Sequence, residues 1–347
     1  MTTARIAGID LTQSWDTCTK KNAFEPAKLA YIREEGVVGL SYSKLLQLHE
    51  CPRKFFLNNI EEQGERQPNI HFAFGHGYGA GVQTYLEYAS KDSSPQGLQR
   101  ALEYAQCMVL ASWDMYDIDE ADNYGVKSFE QCVRAINIFA KDAEALLQEY
   151  TIFMFADKNG KQKAANELLV YVELAEGYSY QMHIDCILQH KVTGQLAVVE
   201  VKTGSKPFAA SDYQNSSQSM GYCVALQAAF GLNNVQHKTI YICYDAKNYH
   251  THIFEFDRGL DIGMEWAAST LLDVQAIEAY KENSFWPRRG QSCKSYGRDC
   301  QFFGICHLQQ YRTDIAENSQ PSGSYTALDR TAADIVVSSE QILALMQ

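Results

Sequence analysis

The run QLAVVEVKT, residues 195–203, sets a glutamate and a lysine two positions apart inside an apolar, β-branched stretch. Side chains alternate across a strand, so Glu200 and Lys202 share one face while Val199 and Val201 occupy the opposite, apolar one. Charge embedded in such a strand needs a partner or a metal ion. This restricts the fold: the strand must lie in a covered sheet, with something at one end to meet the charge. The neighbouring sequence supplies that sheet. ELLVYVELA (167–175), SYQMHIDCIL (179–188), KTIYICYDA (238–246) and HTHIFEF (250–256) are rich in β-branched and aromatic residues and read as strands. Val192–Gly194 makes a turn, and residues 211–231 and Leu260–Lys281 carry helical patterns. Three strands, a crossover helix and a further strand predict an α/β core with a mixed sheet.

Asp185 lies on the strand before the turn, so two carboxylates and a lysine come together at one end of the predicted sheet. Carboxylate oxygens hold Mg²⁺ or Mn²⁺, and the backbone carbonyl of Val201 is a further candidate ligand. A metal so held polarises a phosphate and acidifies a bound water, and a lysine beside it orients that water or offsets developing charge. Phosphodiester hydrolysis asks for such a set. The competing reading is a solvated charged stripe or a cross-strand salt bridge, and context decides between them.

Upstream, residues 1–38 read as an irregular leader. Ser41 or Ser43 caps a helix that Pro52 interrupts just after Cys51. Phe72–Ala89 begins Gly-rich and ends helical, with His76 expected in a loop. Residues 97–118 and 127–154 read as helices, so about 90–160 form a helical insertion before a catalytic core at about 165–260. The tail, 311–347, is polar until a short helical pattern near its end.

Ten cysteines are present. Cys293, Cys300 and Cys306 crowd into 14 residues, spaced C-x6-C-x5-C, which points to metal binding. Cys107, Cys132, Cys186, Cys223 and Cys243 sit in apolar patterns and read as core. His49 and His307 are near enough in sequence to serve a zinc site. The formal net charge of −12 argues against a global nucleic-acid footprint, but the segment from Lys281 to Arg298 is locally basic. Its Arg288, Arg289, Lys294 and Arg298 are candidates for phosphate contact, with Tyr296 and Phe302 as candidate stacking rings. No secretory signal and no long apolar run predict a cytoplasmic address without a membrane partner. The absence of a phosphate-loop motif leaves ATP-driven unwinding to another protein.

Together these elements resemble the PD-(D/E)XK nuclease superfamily, in the RecB-like branch that contains CRISPR-associated exonucleases, AddB-type proteins and phage relatives. The likeness runs from about Ser41 to His307. It rests on SYSKLLQLHECP, on Asp185, on Glu200-x-Lys202, on Gln218-x-x-x-Tyr222 within QSMGY, and on the closing cysteines. It implies a restriction-endonuclease-like mixed sheet with flanking helices, a large helical insertion and a cysteine-cluster staple, in a nuclease domain of about 39–310. It implies a Mg²⁺- or Mn²⁺-dependent DNA exonuclease acting on single-stranded ends, in recombination, repair, replication or spacer processing. A nuclease-derived scaffold subunit of a larger complex is the alternative. Asp185 and Glu200 then bind the metal, Lys202 assists the water, and Gln218 and Tyr222 position substrate. Cys51 joins Cys293, Cys300 and Cys306 around a four-iron, four-sulfur cluster, with Zn²⁺ as the rival. Departures are visible. Gln83 stands where the family has a metal-binding histidine, with Gly79 at the preceding glycine. Met182 replaces the glycine three residues before the aspartate, and the first cysteine gap is longer than usual. His183 is a candidate accessory residue, and Glu173 or Glu176 a candidate for a further acidic group.

Overall fold

The protein is described from a computed structural model, which covers residues 5–6, 9–10, 37–60, 70–114, 116, 125–156, 160–230, 237–295, 298–304, 306 and 333–345. Most of the expected leader and tail, and also Tyr296 and His307, lie outside the described residues. A short pair, β1 (Arg5–Ile6) and β2 (Ile9–Asp10), precedes the main body, which begins with β3 (Val38–Leu40). Ser41 then caps helix α1 (Tyr42–Glu50), its hydroxyl accepting from the Lys44 N–H. Cys51 is extended at φ −163°, and Pro52 opens the short helix α2 (Pro52–Phe55), so proline both ends one helix and starts the next.

Three long helices follow: α3 (Ile70–Lys91), α4 (Pro95–Trp113) and α5 (Phe129–Glu149). The Gly-rich stretch expected as a turn is helical throughout, and His76 is therefore a helix residue. Packing explains Gly81. A Cβ on Gly81 would stand 2.6 Å from Ile136 of α5. This close approach outweighs the roughly 1 kcal/mol that glycine costs inside a helix.

An eight-stranded mixed sheet forms the centre. Its main path runs β11 (His250–Arg258), β10 (His237–Asp245), β9 (Leu196–Gly204), β8 (Tyr178–His190), β7 (Asn166–Ala175) and β14 (Ile335–Val337). β3 and β4 (Tyr150–Ile152) pair with opposite ends of the long β8. A small hairpin of β5 (Met154–Ala156) and β6 (Gln162–Ala164) lies outside the sheet. One apolar layer packs α3, α4 and α5 against Cys186, Leu188, Ala197, Val199, Ile240 and Ile242. The other packs α6 (Ser217–Phe230) and α7 (Leu260–Glu282) against Tyr180, Met182, Ile184, Leu196 and Val198. The expected helix over 211–231 thus starts six residues late, after a 3-10 turn at Ala210–Asp212.

The C-terminal segment is not merely a tail. β14 pairs in parallel with β7, Asp334 accepts from the Leu169 N–H, and Ile342 of α8 (Ser339–Leu345) enters the core. A strand of three residues is too short to stand out in sequence. The cysteine segment forms a hairpin of β12 (Lys294–Ser295) and β13 (Arg298–Asp299). The five cysteines expected in the core are all buried.

Candidate active site

The site is built at a gap in the sheet. On the edge of β8 that faces away from β7, β3 pairs with residues 178–180 and β9 with residues 186–189. Between these anchors β8 and β9 part, and the groups in the gap are met by side chains. Asp185 Oδ2 accepts from the Val201 N–H at 2.7 Å, taking over a bond that the ladder no longer makes. The Tyr222 hydroxyl donates to the His183 carbonyl at 2.8 Å. Alternation along β8 sends Tyr178, Tyr180, Met182 and Ile184 into one layer but Cys186 and Leu188 into the other, so the strand changes parity at Asp185.

Across the hairpin the register pairs Leu168 with Ile184 and Asn166 with Cys186, which sets Glu167 opposite Asp185. Glu167 has φ +48°, a left-handed conformation that costs a non-glycine residue about 1–3 kcal/mol and that concentrates at functional sites. Its carboxylate accepts from Gln83 Nε2 at 2.6 Å. Gln83, expected at the family's histidine position, thereby ties α3 to a third carboxylate. Glu173 and Glu176, considered for that acidic role, lie at the far end of the hairpin. Reflecting Asp185 through the turn at Glu176–Gly177 gives Leu168; the register shift between Glu173 and Ala175, which the sequence does not announce, brings Glu167 opposite instead.

The other half of the site comes from β9 and α6. Lys202 Nζ donates to Glu200 Oε1 at 2.5 Å and to Gln218 Oε1 at 3.0 Å. Gln218 Nε2 in turn donates to the Tyr222 hydroxyl at 2.8 Å. Gln218 and Tyr222 lie one turn apart on the same helix face. The relay from Lys202 through Gln218 and Tyr222 to the His183 carbonyl fixes every donor in one direction. The Glu200 side chain is 5% exposed and that of Lys202 is 33% exposed.

Charge is crowded here. Burial, then the Glu200 and Glu167 charges, push the Asp185 carboxyl well above the usual carboxylate range, against the pull of the Val201 N–H and Lys202. Burial and then Glu200 raise Glu167, although that residue keeps solvent access and the Gln83 amide opposes the shift. Burial works against the Lys202 charge, but Glu200 and then Asp185 outweigh it and its ammonium is held more firmly than usual. Burial, with the nearby Glu200 and Asp185 charges, keeps the Tyr222 phenol protonated and so a donor.

Three carboxylates around one ammonium leave an excess of negative charge, and Glu200 Oε2 is buried without a hydrogen-bond partner. Among the described residues, no three His, Cys, Asp or Glu side chains converge closely enough to hold an ion as they stand. One oxygen each of Asp185, Glu200 and Glu167 is engaged by Val201, Lys202 and Gln83. The oxygen-only donor set and the orphaned Glu200 oxygen fit a hard divalent cation. Val201 sends its side chain to the α3 layer and its N–H to Asp185.

His183 lies near Asp334, and burial lowers its pKa against the pull of that carboxylate. His76 is 3.5 Å from the Tyr116 hydroxyl and packs edge-on against that ring.

The four cysteines of the proposed staple come together. Cys51, Cys293, Cys300 and Cys306 line one cavity of about 360 Å³ with Leu57, Phe302 and Arg288. The hairpin is tied to the α1–α2 corner by Ser292 Oγ on the Glu50 carbonyl at 2.7 Å and by the Arg53 N–H on the Pro287 carbonyl at 3.0 Å. Burial raises the Cys306 thiol, Arg53 and Arg288 pull it down, and Cys51 and Cys293 push it up. Phe302 is 3% exposed, which removes it as a stacking ring. Arg289 and Lys294 are exposed, with Lys294 3.9 Å from Asp299. The Arg298 side chain lies outside the described residues.

A family model for the PD-(D/E)XK nuclease superfamily matches residues 39–307. The chain belongs to that superfamily. Its mixed α/β architecture is accordingly restriction-endonuclease-like. No curated protein matches the chain. Among solved structures, one titled "Crystal structure of SSO0001" aligns at 14% identity over 86% of this chain and 93% of its own, with a TM-score of 0.28. Among the described residues no helix is long and apolar enough to cross a membrane.

Proposed function

We propose that this nuclease is a Mg²⁺- or Mn²⁺-dependent DNA exonuclease that acts on single-stranded ends. The observation that carries the reading is the buried, unpartnered Glu200 oxygen beside the Asp185 and Glu167 carboxylates, with Lys202 held by Glu200 and Gln218. Asp185, Glu200 and Glu167 are the residues that would hold a divalent cation, which supplies phosphate polarisation and a more acidic water. Lys202 keeps its proton and presents positive charge where a phosphodiester gains negative charge during attack. Gln218 and Tyr222 hold that ammonium in place, and Gln83 positions Glu167. Trimming of ends within recombination, repair, replication or spacer processing is the biological setting that suits this chemistry, and a larger complex is a suitable context for an acidic protein.

In the same proposal, Cys51, Cys293, Cys300 and Cys306 hold a four-iron, four-sulfur cluster that staples the α1–α2 corner to the β12–β13 hairpin. Thiolates are soft donors suited to iron–sulfur clusters and zinc alike. Support for a metal group at this place comes from the four cysteines lining one cavity. Arg53 and Arg288 would offset the thiolate charge.

The deciding experiment is digestion of end-labelled single- and double-stranded DNA with Mg²⁺ or Mn²⁺, comparing anaerobically purified wild type with Lys202→Ala. Metal-dependent shortening from the ends of single strands, abolished by the substitution, is expected. A folded, cluster-loaded wild type that leaves both substrates intact would overturn the reading in favour of a scaffold subunit.

A further inference from the structure

The face shared by Glu200 and Lys202 continues across two more strands. Registered neighbours on adjacent strands lie on the same face. Register carries Glu200 to Tyr241 and on to Phe254, and Lys202 to Cys243 and on to His252. The outer strand β11 thus presents His250, His252, Phe254 and Phe256 in alternation, two strand spacings or about 10 Å from β9.

These rings form a connected surface. His250 and His252 have centroids 4.5 Å apart, and His252 and Phe254 are 5.9 Å apart with planes 9° from parallel. From the loop after β9, Tyr213 stacks on Tyr241 at 4.4 Å and lies 6.3 Å from Phe254. Phe208 extends the patch, 6.1 Å from Tyr213 and 6.5 Å from His252. Tyr241 is fully buried, whereas Phe208, Tyr213, His252, Phe254 and Phe256 are half-buried and His250 is exposed. The α3–α5 layer packs on the other face of β11, through Ile253.

A half-open aromatic stripe along an edge strand invites aggregation unless it has a use. The chain nevertheless commits a buried cation to holding it. Arg258 is 3% exposed and donates to the carbonyls of Tyr213 (3.1 Å) and Gln214, and to the Ser219 and Thr239 hydroxyls at 3.2 and 3.1 Å. Ser219 adjoins Gln218, so the same guanidinium fixes the loop of Tyr213 to the helix that steadies Lys202. Exposed Lys206 and Lys247 sit in the loops at one end of the stripe.

We propose that this face, with Phe208, Tyr213, His252 and Phe254 as its rings, is a base-stacking track for single-stranded nucleic acid whose scissile phosphate lies at Asp185, Glu200 and Lys202. The proposal rests on the nuclease reading and adds the element that selects single strands. Unpaired bases offer free faces to such rings in a sequence-tolerant way, and paired bases do not.

The test uses Asp185→Asn protein in EDTA, with fluorescence anisotropy of a labelled oligothymidylate and of an abasic oligonucleotide of equal length and charge. Thymidylate is expected to bind about 5- to 150-fold more tightly for each base stacked. Phe254→Ala and His252→Ala should each shrink that preference without altering abasic binding, and Phe254→Trp should retain it. Equal affinity for the two oligonucleotides overturns the track, and this arm needs no substitution on β11. A preference that survives both alanine variants also overturns it. Cleavage by wild type without any base preference removes the track and leaves the nuclease reading. Base preference without cleavage does the reverse.

Discussion

The acidic site and the cysteine site are assembled in opposite ways. Asp185, Glu167 and Glu200 sit on three adjacent strands, each with one carboxylate oxygen held by another residue of the chain. Their geometry is set by sheet register and by a helix one turn long in its reach, Gln218 to Tyr222. The four thiols instead bring Cys51 to a hairpin near the other end of the chain, and the thiols ring a cavity. One site is organised before any ligand arrives and stores repulsion. The other joins two distant parts of the chain around a cavity. Removing a ligand residue should therefore cost activity at the first site and stability at the second.

The largest effect expected from that contrast is on catalysis. Glu200→Gln should lower metal-dependent cleavage by about 10³-fold, as loss of a principal electrostatic group does, with the melting temperature unchanged or higher. A matching collapse in thermal stability would erase the distinction between the sites. Next is Cys300→Ser, for which iron or zinc content should fall and unfolding should become easier by about 2–4 kcal/mol, the usual worth of a long-range cross-link. Full metal content with unchanged melting would remove Cys300 from the staple.

A residue outside both sites sets the pH background against which they are compared. Burial pushes His237 down to about 4 from its ordinary 6.5. A buried neutral histidine takes up a proton only on unfolding, so the unfolded chain binds more protons between those values and stability falls as pH drops from about 6.5 to 4. The loss should be on the order of 2–3 kcal/mol. His237→Gln should flatten this part of the urea-denaturation profile, and an unaltered slope would assign the acid sensitivity to other groups.

The smallest effect concerns stored repulsion. Asp185→Asn in metal-free protein should raise stability by roughly 1 kcal/mol, because it relieves crowding with Glu200 and Glu167 while keeping an acceptor for the Val201 N–H. Mg²⁺ should then stabilise wild type more than the variant in thermal unfolding. Equal stabilisation of both would place the cation elsewhere.

Much of this was legible in the sequence because it is local. The alternation in QLAVVEVKT put Glu200 and Lys202 on one face and Val199 and Val201 in the other layer, as observed. Spacing of four placed Gln218 beside Tyr222, and Cys51-Pro52 marked the break between α1 and α2. What escaped was set by partners far away in the chain. The start of α3 looked like a turn because Ile136, which needs the missing side chain of Gly81, lies on another helix. Phe302 looked available for stacking until the core closed over it.

Sequence alone was enough for the strand faces, the Gln218–Tyr222 pair and the mixed α/β class, since periods of two and nearly four residues are written in neighbouring positions, and its motifs carried the resemblance to the nuclease superfamily. Only the tertiary structure decided that β8 and β9 part at Asp185, that Glu167 stands opposite with a left-handed backbone, and that β14 returns to the sheet beside β7. Periodicity tells which way a side chain points. Register, strand order and helix contact decide what it meets there, and they depend on packing between segments that the local sequence does not encode.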